Sequence, residues 1–270
     1  MAINKESIRN EESFQKCMEE IIRQEYIEFP PAAELPVHGK ILGSDTQIEV
    51  QYPDTVLAMK TWNWAVPAEA SIIETTNSLM PLAQRYLLWS IVYGTSPSRY
   101  LEIGSDAGGS ALIVAGAIRA LSRQDFRGVC IDPSFHMSDA TREYLGENFF
   151  LIESKNSPES MVNASRWAGG LFDLILVDGD HTYDYALTDI FLSYSYLSPG
   201  GYMLVDDAAH PQVRDAIAYA LENLQLIDCG FMCRHAMFCE IQIPPTEHHQ
   251  WQGEKMMVSG LYVLRKPLRK

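Results

Sequence analysis

The sequence predicts an α/β protein: a Rossmann-like, mostly parallel sheet with helices on both faces, preceded by a helical and irregular cap. Two observations lead there. From about residue 80 onward, short apolar runs alternate with helical stretches, the signature of successive βαβ units. A glycine-rich turn also stands where the first of those runs hands over to a helix.

The strand runs are 100–103, 129–131, 149–152, 174–177 and 202–205, and helical stretches at 110–121, 138–145, 158–167 and 183–197 lie between them. Another helix, 213–224, follows. Two more strands, 226–238 (interrupted at Gly230) and 261–264, are joined by a polar loop at 244–260. Upstream, Leu82, Tyr86, Leu87, Leu88, Ile91 and Val92 share one face of a helix that Gly94 ends. Phe14, Cys17, Met18, Ile21, Ile22 and Tyr26 have helical spacing over 13–26, and 29–56, with four prolines, reads as an irregular connector. The chain therefore divides into a cap over 1–79 and an α/β domain over 80–270.

With 270 residues there is room for one sizeable core and an accessory region. A formal charge of −14 repels phosphate backbones and anionic lipid, so neither a nucleic acid nor a membrane surface is an expected partner. No apolar run approaches the roughly 18 residues of a membrane span, and the first residues lack the apolar core of a secretory signal. The five cysteines read as reduced thiols, which points to the cytoplasm. Cys229, Cys233 and Cys239 with His235 lack the tight pairs of structural zinc sites and read as strand thiols.

In Glu102-Ile-Gly104-Ser-Asp-Ala-Gly108-Gly-Ser110, glycine lets the backbone turn sharply and approach a ligand. A dinucleotide fingerprint would need glycine at 106, where Asp106 stands, so a pyrophosphate is disfavoured and a dehydrogenase with it. A cofactor with a positive or zwitterionic group suits this acidic turn. Asp132, ending the next strand, can accept the hydroxyls of a ribose.

Two later strand ends are dense in acid: Val177-Asp178-Gly-Asp180-His181 and Val205-Asp206-Asp207. In a parallel sheet both open onto one edge, where their carboxylates repel unless a cation or a proton separates them. Mg²⁺ or Ca²⁺ is the economical answer, and it would lower the pKa of an acceptor hydroxyl. The other reading of these acids is as helix caps and turn residues.

Glu102, Gly104, Gly108 and Asp132 together resemble the class I S-adenosylmethionine-dependent methyltransferases. That resemblance implies a seven-stranded sheet with a last antiparallel pair. It also implies a cofactor site made by Glu102, Gly104, Ser105, Gly108, Ser110, Asp132, Ser157 and Asp178. The stretch from Val177 to Tyr183, with Asp206-Asp207 beyond a helix, is similar to the metal-dependent O-methyltransferases of macrolide and aminocoumarin sugars. This implies Asp178, Asp206 and Asp207 as metal ligands and Asp180 or His181 as the base. The expected partner is a small-molecule hydroxyl acceptor, with a homo-oligomer left open. Catechol or phenolic methylation and a non-catalytic cofactor-binding homologue are the alternatives. Trp62, Trp64, Tyr183, Tyr185 and Trp251 read as core or lid packing, and His248-His249 as a solvated pair.

Overall fold

The computed structural model describes residues 68–268 except 77, 79, 81, 209, 232–234, 243–251 and 259, together with two short strands near the start. In chain order the elements are β1 (Ala2–Asn4), β2 (Tyr26–Glu28), α1 (Ile72–Thr75), α2 (Leu82–Thr95), β3 (Arg99–Ile103), α3 (Gly109–Ala120), β4 (Arg127–Asp132) and α4 (Asp139–Leu145). There follow β5 (Phe149–Glu153), α5 (Pro158–Ala168), β6 (Phe172–Val177), α6 (Tyr183–Tyr196), β7 (Leu197–Val205) and α7 (Pro211–Asn223). The last strands are β8 (Ile227–Phe231), β9 (His235–Gln242), β10 (Gln252–Val258) and β11 (Tyr262–Arg265).

Seven strands form one sheet in the order β5-β4-β3-β6-β7-β11-β8. The first five are parallel, and β11 runs antiparallel between β7 and β8. Side-chain alternation places the core on both faces. Tyr100, Leu174, Leu176 and Leu204 pack with Leu88, Ile91 and Val92 of α2 and with Ile113 and Val114 of α3. Leu101, Ile103, Val129, Ile175, Val177 and Met203 pack on the other side with Met161 of α5, Ile190 of α6 and Ala216 of α7. Each such aliphatic side chain contributes about 1.5–3 kcal/mol by leaving water.

Ahead of this core, Arg85 is fully buried. It donates to the carbonyls of Met80 (2.7 Å), Thr76 (2.8 Å) and Ser78 (2.6 Å), binding the short α1 region to α2.

Three expectations are corrected. The polar loop expected at 244–260 contains β10, which pairs antiparallel with β9 and places Met256 opposite Cys239 and Met257 opposite Phe238. Its opening residues, Gln-Gly-Glu-Lys, have little intrinsic preference for a strand, and pairing supplies what composition does not. The single strand expected over 226–238 is two, β8 ending at Phe231 and β9 starting at His235 in a separate small sheet that β1 and β2 also join. Tyr26, expected to end a helix, opens β2; the rest of that helix lies outside the described residues. So do the 29–56 connector, Trp62, Trp64, Cys233, His248, His249 and Trp251.

Candidate active site

The sheet register decides which side chains meet. Ile103 pairs with Ile131 on one side and Val177 on the other, and Val177 pairs with Val205. The next residues, Gly104, Asp132, Asp178 and Asp206, therefore line one C-terminal edge. The ladder continues across it: Gly104 N–H donates to Ile131 O, Asp178 N–H to Ile103 O, and Asp206 N–H to Val177 O.

Gly104 has φ +85°, and a Cβ there would stand 1.9 Å from the Asp178 carbonyl oxygen. Only glycine lets the turn lie directly on the acid loop. Asp106 holds a left-handed conformation (φ 38°), and its N–H donates to Asp132 Oδ2 at 2.8 Å. Its own carboxylate meets His136 Nδ1 at 2.5 Å. The other Asp132 oxygen accepts from Ser134 N–H at 2.8 Å, so one carboxylate joins the turns after β3 and β4. Gly108 is the N-cap of α3, whose first turn has no side-chain cap.

Glu102, Ser105 and Ser110 lie beneath the turn rather than at its surface. Glu102 is fully buried, accepting from Tyr100 OH at 2.6 Å and from Ser110 Oγ at 2.6 Å. Burial pushes its carboxyl up to about 7, against the pull of these hydrogen bonds. The arrangement follows from strand alternation: Tyr100 and Glu102 share the face that α3 covers. Ser157 caps α5 in a capping box with Ser160.

Asp178, His181 and Asp207 present ligand atoms within 4.8 Å of one another. His181 Nε2 lies 3.1 Å from Asp207 Oδ2 and 3.9 Å from Asp178 Oδ1. Burial pushes Asp178 up to about 6, held back by the neighbouring His181 imidazole and raised again by Asp207. For His181, burial alone would lower the pKa, but Asp207, Asp178 and Asp206 outweigh it and raise it to about 9. Between these acids stands the His181 imidazole, whose protonation would answer part of their repulsion.

Asp206 stands outside this group of three. It is 7% exposed, its Oδ1 accepts from Gln84 Nε2 of α2 at 3.2 Å, and burial followed by the charges of Asp178 and Asp207 drives its pKa well up. Asp180, at the mouth of the same loop, accepts Thr182 N–H at 2.8 Å. Tyr185 is an exposed side chain of α6 (46%) and not a core residue, whereas Tyr183 packs partly buried against the core.

Sequence reasoning missed Gln84, His210, Asn156 and Asp189. His210 is the buried N-cap residue of α7, its ring 6.4 Å from that of His181, and burial and the His181 charge lower its pKa. Nothing local marks it, since a lone histidine before a proline is an ordinary helix start.

Two carboxylates fit a hard divalent cation; the imidazole is a softer third donor. The fold is shared with solved O-methyltransferases. Residues 101–208 match the family described as a methyltransferase domain. A rhamnosyl O-methyltransferase of Mycobacterium tuberculosis is 28% identical over 122 residues, 43% of this chain and 49% of that protein. A mimivirus protein of uncharacterized function is 25% identical over 133 residues, 47% of this chain and 60% of that one. This chain thus spans about half to three-fifths of the length of these curated relatives. Among solved structures, TomG, an O-methyltransferase of Streptomyces achromogenes involved in tomaymycin synthesis and seen with its methyl donor, superposes with TM-score 0.52 at 15% identity. That match covers 79% of this chain and 95% of TomG. A Bacillus cereus O-methyltransferase in complex with the demethylated cofactor gives TM-score 0.52 at 14% identity, covering 78% and 96%.

Proposed function

We propose that this chain is an S-adenosylmethionine- and Mg²⁺-dependent O-methyltransferase of the cytoplasm, acting on a hydroxyl of a small molecule, with a sugar of a glycosylated natural product as the acceptor class. The observation that carries the reading is the packing of Gly104 against the Asp178 carbonyl. The glycine-rich turn and the acid loop touch, so a donor held by one and an acceptor held by the other are neighbours. The matched domain and the rhamnosyl relative support the chemistry and the acceptor class.

When bound, the sulfonium cofactor supplies an activated methyl and the cation acidifies the acceptor hydroxyl. The uncapped N-terminus of α3 suits the carboxylate of an amino-acid moiety. Each Asp132 oxygen keeps a lone-pair direction beyond its backbone N–H, enough for ribose hydroxyls. Asp178 and Asp207 would hold the cation, with His181 as a third donor once it has shed its proton. Asp207 and Asp178 raise the His181 pKa to about 9, a hold that a cation on those carboxylates would weaken. Asp180, which lies outside the proposed ligand set, is our candidate acceptor of the substrate proton.

The test is thermal unfolding with S-adenosylmethionine and its demethylated product, followed by turnover of labelled donor on hydroxylated acceptors with EDTA or Mg²⁺. Both ligands should raise Tm by mass action, EDTA should abolish turnover, and Mg²⁺ should restore it. Absence of any stabilisation would overturn the cofactor, turnover that survives chelation would overturn the metal, and transfer to catechols alone would overturn the acceptor class.

A further inference from the structure

Asp189 lies midway along α6 and is 5% exposed, on the face that carries Ala186, Ile190 and Ser193 into the core. A carboxylate is costly to bury without partners, so what surrounds it is informative. Its Oδ1 accepts a hydrogen bond from Asn156 Nδ2 at 2.8 Å, in the loop after β5. Its Oδ2 stands 2.7 Å from where a Cβ on Gly179 would be, so a side chain at 179 would have to displace that carboxylate. A Cβ on Gly104 would in turn approach Gly179 Cα to 2.8 Å.

The loops after β3, β6 and β5 are therefore stacked: Gly104 on the 178–179 peptide, that peptide on Asp189, and Asp189 on Asn156. Burial pushes Asp189 up to about 6, the Asn156 bond pulls it back, and the charge of Asp180 across Gly179 adds to the rise. Asn156 immediately precedes Ser157, whose hydroxyl accepts from Ser160 N–H to start α5. Donation to Asp189 also fixes which way the Asn156 amide faces.

We propose that Asp189 and Asn156 are a positioning pair that holds the loop bearing Asp178, Asp180 and His181 in register with the loop bearing Ser157. The role assigned to that register rests on the reading of this edge as a methyl-transfer site. Neither residue is assigned contact with the reacting atoms; the pair sets the distance between the acceptor-side acids and Ser157.

The test compares Asn156→Ala, Asp189→Ala and the reversed pair N156D/D189N, in which donor and acceptor trade places. Amide hydrogen exchange is measured on the ligand-free protein, and binding of the demethylated cofactor is measured by calorimetry. Asn156→Ala, in a partly exposed loop, keeps the comparison sound where Asp189→Ala does not fold. It should speed exchange over both 154–157 and 178–182. It should also weaken cofactor-product binding and lower kcat by about tenfold each, with acceptor KM unchanged. The reversed pair should recover each to within about threefold of wild type. Exchange that changes only over 154–157, or a reversed pair no better than the single variants, would overturn the proposal. If the wild type binds no cofactor product while both loops respond together, the pair stands and the methyl-transfer reading falls.

Discussion

Asp132 closes one of the two strands that flank β3 and Asp178 follows the other, at the same edge of the same sheet, yet their carboxylates are held in opposite ways. Asp132 is met by two backbone N–H groups, fixed neutral dipoles that stabilise an anion without adding charge. Asp178 is crowded by Asp206 and Asp207, and the answering group is the imidazole of His181. Folding alone completes the first environment. The second gathers more negative charge than backbone dipoles balance, so its state depends on what proton or cation sits there. The Asp132 side is pre-built; the acid side is responsive.

The largest effect should come from breaking the contact that joins the two sides. Gly104→Ala puts a Cβ into the Asp178 carbonyl at a φ that disfavours it, and should cost about 3 kcal/mol or more in urea unfolding. A wild-type unfolding midpoint would show that the sides are not coupled there. Asp132→Ala should cost about 1–3 kcal/mol, because it strands the Asp106 and Ser134 amides, and adding Mg²⁺ should not recover it. Recovery by the cation would mean that the Asp132 side is not pre-built.

The smallest effect is the pH dependence of His181→Gln, measured as Tm in EDTA. The His181 pKa is raised in the folded protein from 6.5 to about 9, so its stabilisation is full below 6.5 and is lost as pH rises through about 9. The gap between wild type and variant should close over that window. With 25% of the side chain exposed, solvent limits its size. A gap that widens with pH would remove the imidazolium from the acid side.

The parallel half of the sheet was legible because each strand and helix announces itself within a dozen residues by apolar period and punctuation. The placement of the glycine turn and of the acids at 178, 206 and 207 was legible for the same reason: one or two residues beyond a strand end is a position that sequence can count. The bonds from Gln84 to Asp206 and from Asn156 to Asp189 join residues 122 and 33 positions apart and leave no local trace. The strand at 252–258 stayed hidden because its partner, not its composition, makes it one. Glu102 was found as a motif acid, but its burial needed the knowledge that α3 closes over that face.

Gln84 reaching Asp206 has a consequence for where the working unit ends. The matched stretch, 101–208, leaves out α2, although Leu88, Ile91 and Val92 of that helix fill the core and its amide steadies an acid of the site. It also leaves out β11, the strand that hydrogen-bonds to β7. The stretch that matches the family is thus smaller than the segment that packing and hydrogen bonds hold together. A graft of this site onto another scaffold has to carry the preceding helix and the closing strand with it.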